Sequence, residues 1–496
     1  MKNRHAKIIS LILILVLAAL SFINCGDKAD STTPVSGTTA AEVTETQPET
    51  ELKPELPDAD YGGKTFNILT AGNWSNDWTE IYDFTADEQD GTPVNDAVYI
   101  RNRAVEEQFN IEIKEINNMG SSVGGTGKGG KFIEKSVMAG DNAYDASQMG
   151  AYDVSVLAYK GYVIDLNSIK WLNLENPWWD QKANSDLTIR GMMFYTTGDI
   201  STLDNDCTFC ILFNKKLIAD NSLENPYKLV QDGTWTIDKF VSMAGSLSRD
   251  LNGDSKMDEN DMYGFCIWQD SMMGMVNAAG EKFATINNDG NIELTLNTEK
   301  TVNMLDKYIP LAYDRNLTYS IYHSKDAIEN MFANDQVMFY TRYLCIIKKY
   351  RNMDTDFGLL PYPKYDESQS SYYHTVAPYG CSFICVPMVV QDFEMTGAVL
   401  EAMAYESVDT VTKAYYDITL EGKTLRDEES SEVLDIILKT RVFDIGQFYQ
   451  IGPYNERIMD LFRKNDTDFA SMYAKHEGAA LKLIGEINDA FAEITE

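Results

Sequence analysis

Thr65-Phe-Asn-Ile-Leu69 decides the fold, because its alternation of apolar and polar residues predicts a β-strand. A helical pattern follows, with Val105 and Phe109 on its inner side and Asn95 in a position to cap its start. Ile111-Glu-Ile113 then alternates as a second strand. This order of strand, helix and strand is typical of an α/β protein with a parallel or mixed sheet.

The same alternation continues along the chain. The apolar patterns predict strands over residues 209–213 and 264–268 and helices over 236–247 and 298–313, and the chain from residue 393 onward is mainly helical in pattern. More than 430 of the 496 residues follow residue 57, which is too many for one compact core. We therefore expect two lobes.

The N-terminal segment indicates export. Basic residues precede a short apolar run over residues 8–23, and Cys25 follows directly after this run. Residues 1–24 are predicted to be a secretory signal peptide, because the run is too short for a membrane span. Cys25 resembles the lipidated cysteine of a bacterial lipoprotein, and residues 25–57 would be a flexible tether at the extracellular face of the cell membrane. The alternative is a cysteine that lies there by chance.

Charge and cysteine usage limit the possible partners. The chain has a formal net charge of -34, which disfavours binding of nucleic acid or anionic lipid by the folded part. Six further cysteines form no regular framework, and we expect them to be buried and structural: Cys207, Cys210, Cys266, Cys345, Cys381 and Cys385. Cys207 and Cys210 precede a buried strand, where side chains three residues apart point to opposite faces and cannot share a metal.

One acidic segment has the spacing of a calcium-binding loop. Asp250-Leu-Asn252-Gly-Asp254-Ser-Lys256-Met-Asp258-Glu-Asn-Asp261 places oxygen side chains at positions one, three, five, nine and twelve, and Lys256 would contribute its backbone carbonyl. Ser255 replaces the usual glycine, and Asp261 is shorter than the usual glutamate, so we expect modest affinity and a structural calcium ion. The alternative is an acidic surface turn.

Aromatic residues at strand ends suggest the ligand. Trp74 and Trp268 each follow a predicted strand, and ligands of open α/β sheets lie beyond the carboxyl ends of the strands. Aromatic faces suit the C–H faces of sugar rings, although core packing is the alternative role for each tryptophan. With only four histidines and without the common hydrolase motifs, the chain offers few candidates for histidine-based catalysis. A glycosidase needs only two carboxylates, so a secreted carbohydrate-active enzyme is the alternative function.

A series of short landmarks resembles one family. The landmarks are residues 161–167, 211–215, 233–236, 263–264, 331–339 and 357–363, in this order and at this spacing. Together they resemble the extracellular solute-binding proteins of bacterial carbohydrate ABC transporters, of the maltose-binding-like class and in lipoprotein form. The resemblance implies a type II-like periplasmic-binding-protein fold, with two α/β lobes joined at a hinge and the ligand in the cleft between them.

The resemblance also implies how the chain is divided and what it binds. Residues 58–205 and 380–442 would form one lobe, residues 206–379 and 443–496 the other, and the chain would cross near Asp206, Tyr379 and Phe443. The expected partners are a carbohydrate, for which we expect an oligosaccharide, and the subunits of the permease. The protein is expected to be a monomer without an organic cofactor. The expected ligand contacts are Trp74, Tyr152, Asp153, Asp204, Asp206, Trp268, Asp270, Arg342, Tyr343 and Tyr449.

Overall fold

The strand expected at residues 65–69 forms the centre of a sheet. The structure is a computed structural model that describes residues 52–72, 83–118, 127–320, 325–417 and 427–495. Its strands, numbered in chain order, are β1 (Lys64–Ala71), β2 (Ile111–Asn117), β3 (Ala146–Gly150), β4 (Phe209–Asn214), β5 (Ser248–Arg249), β6 (Met262–Ile267), β7 (Ala284–Ile286), β8 (Ile292–Leu294), β9 (Thr318–Ser320), β10 (Val337–Tyr343), β11 (Phe357–Leu360), β12 (His374–Thr375), β13 (Ser382–Cys385) and β14 (Arg441–Val442).

Helices lie between most of these strands. The α-helices are Pro93–Phe109, Gly130–Ala139, Ala151–Tyr159, Gln181–Leu187, Leu203–Asp206, Lys215–Asp220, Pro226–Gln231, Ile237–Ala244, Ser271–Ala278, Glu299–Tyr313, Lys325–Ala333, Phe393–Ser407, Lys413–Tyr416, Glu428–Lys439, Ile445–Phe448, Tyr454–Lys464 and Phe469–Thr495. Short 3-10 segments span Leu166–Ser168 and Leu344–Tyr350, and a π-helical turn spans Val408–Thr412. Residues Lys53–Glu496 form one compact unit.

Two mixed sheets organise this unit. The first has the order β13, β3, β1, β2, in which β1 pairs in parallel with β2 and β3, whereas β13 is antiparallel. The second has the order β11, β4, β10, β6, β5, and β9 also pairs with β6. The mixed α/β class expected from the sequence is confirmed. The strands of the first sheet fall in the segments expected for one lobe, and those of the second fall in residues 206–379.

The first long helix begins earlier than the sequence analysis expected. Thr92 precedes the helix and Pro93 occupies its first turn, where a missing N–H costs nothing. Asn95 is therefore inside the helix, and its side chain donates to the Glu88 carbonyl at 2.8 Å instead of capping the start. The expected end at Phe109 is correct, and Asn110 follows it in the left-handed conformation.

A buried carboxylate ties a long connection to the first lobe. Glu401 lies on the helix that follows β13 and is 1% exposed. Its Oε1 accepts hydrogen bonds from Trp178 Nε1 at 3.1 Å and Asn176 Nδ2 at 2.5 Å, and its Oε2 accepts from Trp179 Nε1 at 2.9 Å and the Asn173 amide at 3.1 Å. Four donors compensate for the burial of this charge. The two tryptophans therefore pack in the core.

Three chain segments lie side by side between the two sheets. β12 pairs in parallel with β14, and Thr208 forms an antiparallel bridge with Val376. The Ala377 amide donates to the Cys207 carbonyl at 2.9 Å, and the Val376 amide donates to the Val442 carbonyl at 3.1 Å. These are the places where the resemblance puts the crossings between lobes, so the segments form a hydrogen-bonded ribbon, here called the hinge ribbon (residues 206–208, 374–377 and 441–443).

One helix lies on the sheet opposite to the one we expected. Helix Glu428–Lys439 falls in the segment 380–442 that we assigned to the first lobe, but it packs against β11 of the second sheet. Tyr227, which also packs there, shares a 2.6 Å hydrogen bond with Ser430 of this helix. An amphipathic pattern predicts which face of a helix is buried, but it does not predict which sheet that face packs against. The remaining lobe boundaries stay a prediction.

The cysteines are free thiols in the part of the chain that the structure describes. Five of the six are buried, as expected, whereas Cys345 is partly exposed. Burial raises the pKa of the Cys385 thiol to about 12, so this thiol is protonated and unreactive at neutral pH. These properties fit the structural role that we expected.

The hinge ribbon should make the protein sensitive to acid through His374. Its Nε2 accepts from the Tyr362 amide at 3.2 Å, its Nδ1 contacts Thr440 Oγ1 at 2.8 Å, and burial lowers its pKa to about 3. The unfolded chain takes up this proton near pH 6.5, so the free energy of unfolding should fall by about 1.4 kcal/mol per pH unit below that value. Urea unfolding measured between pH 8 and pH 4 tests this.

The matched variants for this prediction are His374→Gln and His476→Gln. The His374→Gln protein should lose less stability on acidification than the wild type, although it is less stable at neutral pH. His476 is far more exposed, so its variant should follow the wild type. An identical pH slope for the wild type and His374→Gln would contradict the prediction.

Candidate functional site

A cavity of about 380 Å³ is lined by residues from both of the segments that we expected to form separate lobes. Its walls come from the start of helix Ala151–Tyr159, from the segment after β6, from the hinge region and from the start of helix Tyr454–Lys464. The lining residues are Tyr152, Trp268, Gln269, Asp270, Met273, Tyr379, Gln450, Pro453, Asn455, Glu456 and Met459. Three of the expected ligand contacts, Tyr152, Trp268 and Asp270, are therefore brought together.

The end of β6 positions Trp268 and Asp270. The strand lies against helix Ile237–Ala244 at Gly264, where a Cβ atom would come within 1.7 Å of the Ala244 carbonyl oxygen. Only glycine allows this approach. β6 ends at Ile267 beside Thr341 of the parallel β10, so the next residues of both strands leave the same edge of the sheet. That edge faces the cavity.

Arg342 and Tyr343 support the cavity wall and do not line it. The Arg342 guanidinium carbon lies 3.9 Å from the centroid of the Trp268 ring, and the Tyr343 hydroxyl donates to Asp270 Oδ2. Both supporting side chains are buried. We expected them to contact the ligand, but the structure places them one layer behind the residues that line the cavity. Sequence position at a strand end does not distinguish these two layers.

Asp270 keeps one acceptor oxygen for a ligand. The residue is 8% exposed, and its Oδ1 accepts no hydrogen bond from a side chain. Burial raises the pKa of Asp270, and the positive charge of Arg342 and the Tyr343 hydroxyl oppose this shift. A buried acceptor without a donor is costly, and the hydroxyl of a bound ligand would supply the missing donor.

Polar groups from other elements complete the lining. The Tyr152 hydroxyl lies 3.4 Å from Asn455 Nδ2, and burial raises its pKa, so the hydroxyl stays protonated. Gln269 Oε1 accepts from Arg463 Nη2 at 2.9 Å, and the same guanidinium pairs with Glu456. The cavity therefore combines aromatic faces with hydroxyl, amide and carboxylate groups, which is the chemistry that holds polyhydroxylated molecules.

Four expected contacts have other partners. Asp153 accepts from the amides of Gly127 at 3.1 Å and Gly130 at 2.9 Å. Asp204 pairs with Arg441 at 2.7 Å. Asp206 accepts from Lys348 at 2.7 Å and Tyr415 at 2.9 Å, and Tyr449 is buried between Tyr159 and Phe491. None of the four lines the cavity, because each side chain stabilises a loop, the hinge or the core.

Two further expectations fall outside the described residues. Trp74 and Cys25 are not among them, so the structure does not place the aromatic face expected from the first lobe or the lipidated cysteine.

Most of one cavity wall was not expected from the sequence. Gln450, Asn455, Glu456 and Met459 come from the start of helix Tyr454–Lys464 and the turn before it, one residue after the expected Tyr449. Tyr379 was expected at a crossing and not as a lining residue. The start of a helix beside a predicted crossing could have indicated these lining residues. Amphipathicity alone, however, does not show which turn of a helix faces a cleft.

In the acidic loop over residues 250–261, carboxylate side chains accept hydrogen bonds from backbone amides of the same loop. Asp250 accepts from the amides of Gly253 at 2.6 Å and Ser255 at 2.8 Å, and Asp261 accepts from Leu251 and Asp258, both at 2.9 Å. Ser255 has a φ of 65°, so it makes the sharp turn that glycine usually makes in such loops. Within the described ranges, no three Asp, Glu, His or Cys residues are grouped to hold a metal.

A larger cavity is lined only by residues between 280 and 373. It has a volume of about 600 Å³, is open and polar, and is lined by Gly280, Glu299, Lys300, Asn303, Tyr365, Asp366, Ser368, Gln369, Ser370 and Tyr373. It contains none of the expected contacts, and its lining comes from the second lobe alone. We therefore take the smaller cavity, which both lobes form, as the candidate site.

Comparisons with solved structures identify the fold. No protein-family model matches the chain, and no curated sequence does. An ABC substrate-binding protein from Listeria monocytogenes in complex with cycloalternan is 13% identical with a TM-score of 0.52, covering 87% of this chain and 99% of that one. MalE from Bdellovibrio bacteriovorus bound to maltotriose is 12% identical with a TM-score of 0.51, covering 87% and 100%.

A third similar structure is an ABC transporter solute-binding protein from Thermotoga lettingae bound with alpha-D-tagatose. It is 15% identical with a TM-score of 0.51, and the alignment covers 86% of this chain and all of that one. Each alignment spans nearly the whole of the matched protein. The chain therefore has the two-lobe fold of ABC transporter solute-binding proteins.

Proposed function

We propose that the protein binds an extracellular carbohydrate in the cavity at Trp268 and delivers it to the permease of an ABC transporter. The observation that carries the proposal is this cavity, in which an aromatic ring and an available carboxylate oxygen lie together where two lobes meet. The three similar structures hold cycloalternan, maltotriose and tagatose. We expect a monomer, as delivery by one chain requires no second subunit.

The lining residues supply the interactions that a saccharide needs. The Trp268 ring offers a face for the C–H groups of a sugar ring, while Asp270 and the amides of Gln269 and Asn455 can hydrogen-bond its hydroxyls. A volume of about 380 Å³ falls within the range of small-molecule sites. Closure of the lobes about the hinge ribbon would exclude water and bring both walls onto the ligand.

A glycosidase is the second candidate function. Asp270 and Glu456 both line the cavity, and two carboxylates across one sugar are sufficient for hydrolysis. Burial raises the pKa of Asp270, as in a general acid. The similar structures are binding proteins, which favours binding without turnover.

Substitutions at the cavity test whether the saccharide binds there. In a thermal-shift screen of saccharides followed by calorimetry, Trp268→Ala should weaken binding by about tenfold or more, because an aromatic contact is lost. Asp270→Asn should also weaken binding, because a charged acceptor is replaced by a neutral group of the same shape. Tyr365→Ala, at the larger cavity, is the matched control and should bind as the wild type does.

The same samples test for turnover. After long incubation with the wild type, the bound saccharide should be recovered chemically unchanged. Cleavage products that disappear in the Asp270→Asn or Glu456→Gln protein would favour the glycosidase. Equal affinity of the Trp268→Ala and wild-type proteins would show that the ligand lies elsewhere.

We further propose that Cys25 carries lipid and anchors the exported protein at the extracellular face of the membrane. In the segments that the structure covers, no helix has the length and apolar character to cross a bilayer. The wild type should partition into detergent from intact cells, whereas Cys25→Ala should stay unprocessed or be released. Ser31→Ala, in the same polar stretch, is the control. Equal partitioning of the mature wild-type and Cys25→Ala proteins would contradict the anchor.

A structural calcium ion in the loop over residues 250–261 is a separate proposal, based on the spacing of its oxygen side chains and the turn at Ser255. Chelation of calcium-loaded protein should lower its melting temperature, because an ion bound only by the folded state stabilises it. Asp254→Ala should remove this response, and the exposed Asp220→Ala should keep it. A melting temperature that does not respond to chelation would identify the loop as an acidic turn.

A further inference from the structure

Each carboxylate of the cavity has an arginine behind it. We propose that Arg342 and Arg463 are specificity-determining residues, which make the cavity select neutral saccharides over aminated saccharides that carry a positive charge. This inference rests on the proposed function. It concerns the charge of the ligand and assigns a role to two residues that do not line the cavity.

Without these arginines the lining would attract cations. Its charged groups are Asp270 and Glu456, and none of the described residues that line the cavity is a lysine, arginine or histidine. The whole chain adds a formal net charge of -34. Carboxylates and aromatic rings around one space are the usual means of binding an ammonium group. A lining of this kind therefore needs a compensating charge if its ligand is neutral.

Arg342 supplies this compensation on one side. It is 3% exposed, and its guanidinium lies over one face of the Trp268 ring at 3.9 Å. The ring attracts a cation through the negative charge of its faces, so a guanidinium already on one face weakens the attraction of the ring for a ligand cation. Its charge also favours the ionised form of Asp270. The charges of Asp270 and Arg342 thus balance each other, and the carboxylate can still accept hydrogen bonds from hydroxyl groups.

Arg463 has the same relation to the other carboxylate. Its Nη1 pairs with Glu456 Oε1, and its Nη2 donates to Gln269 Oε1 at 2.9 Å. Nη1 also donates to Asp460 Oδ1 at 2.9 Å, and Asp460 does not line the cavity. One arginine thus positions a carboxylate and an amide that come from two different elements of the lining.

The two arginines should make the affinity for an aminated sugar lower than the affinity for a neutral sugar of the same shape. A protonated amine would meet two carboxylates whose charge is already balanced, and it would be repelled by both guanidiniums. A hydroxyl group would keep its hydrogen bonds and meet no repulsion. Removal of one arginine should therefore raise the affinity for the amine relative to the neutral sugar, which loss of folding cannot produce.

The experiment compares sugars that differ at one group. Glucose, galactose and mannose are each paired with the 2-amino-2-deoxy sugar, at a pH where the amine is protonated, and the N-acetylated sugars serve as neutral controls for the bulk of the substituent. Dissociation constants are measured by calorimetry for the wild type, Arg342→Gln and Arg463→Gln. Arg342→Lys and Arg463→Lys are the matched variants that keep the charge.

We expect the ratio of affinities to shift by about tenfold toward the aminated sugar in each glutamine variant and to remain close to that of the wild type in each lysine variant. High salt should reduce the shift. Arg463 is more exposed than Arg342, so its variants test the inference if Arg342→Gln does not fold.

Three results would overturn the inference. They are an unchanged ratio in the glutamine variants, the same shift in the lysine variants, and a wild type that prefers the aminated sugars. Failure of every aminated sugar to bind the glutamine variants would overturn it as well. In each case neutral saccharides can still bind the wild type, so the proposed function would stand. A wild type that binds no saccharide in the wider screen would instead refute the proposed function.

Discussion

Hydrogen bonding among the three segments of the hinge ribbon is the constraint on which the site depends. The pairing of β12 with β14, together with the bridge between Thr208 and Val376, holds the crossings side by side. Tyr379, which lines the cavity, follows the segment 374–377 by two residues, so the ribbon anchors this part of the lining. Backbone pairing of this kind is stiff along the strands and still allows the lobes to rotate about it.

Buried charges reinforce the ribbon from both sides. Arg441 on β14 pairs with Asp204 and Asp180, and Lys348 pairs with Asp206 just before Thr208. Burial raises the pKa of Asp204 to about 7, although Arg441 opposes the shift. Asp204 and Asp206 were expected to bind the ligand. A buried charge at a hinge needs a charged partner in the protein, and this requirement places Asp204 and Asp206 in the support of the cavity.

Sequence patterns predicted the layers of the fold and one part of the site. Alternation and helical periodicity located β1, β2 and β6, because these depend on neighbouring residues alone. Trp268 could be expected at the cavity because of its place at the end of a strand, and Asp270 was expected from the family resemblance. The wall after Tyr449 and the sheet that holds helix Glu428–Lys439 depend on contacts between distant segments. Such contacts leave no local pattern in the sequence. The sequence also does not show that Trp268 lines the cavity whereas Arg342 lies behind it.

The separation of lining and support has a consequence for closure. Tyr152 follows β3 of the first sheet, Trp268 and Asp270 follow β6 of the second, and the Tyr152 hydroxyl lies 3.4 Å from Asn455 Nδ2. A ligand shifts a conformational equilibrium only by the difference between its affinities for the two states. Under the proposed function, a saccharide that contacts both walls would favour a closed arrangement, whereas one that reaches Trp268 alone would bind without moving the lobes. The support behind Trp268 and Asp270 would keep this difference large, because these side chains would need no reordering on closure.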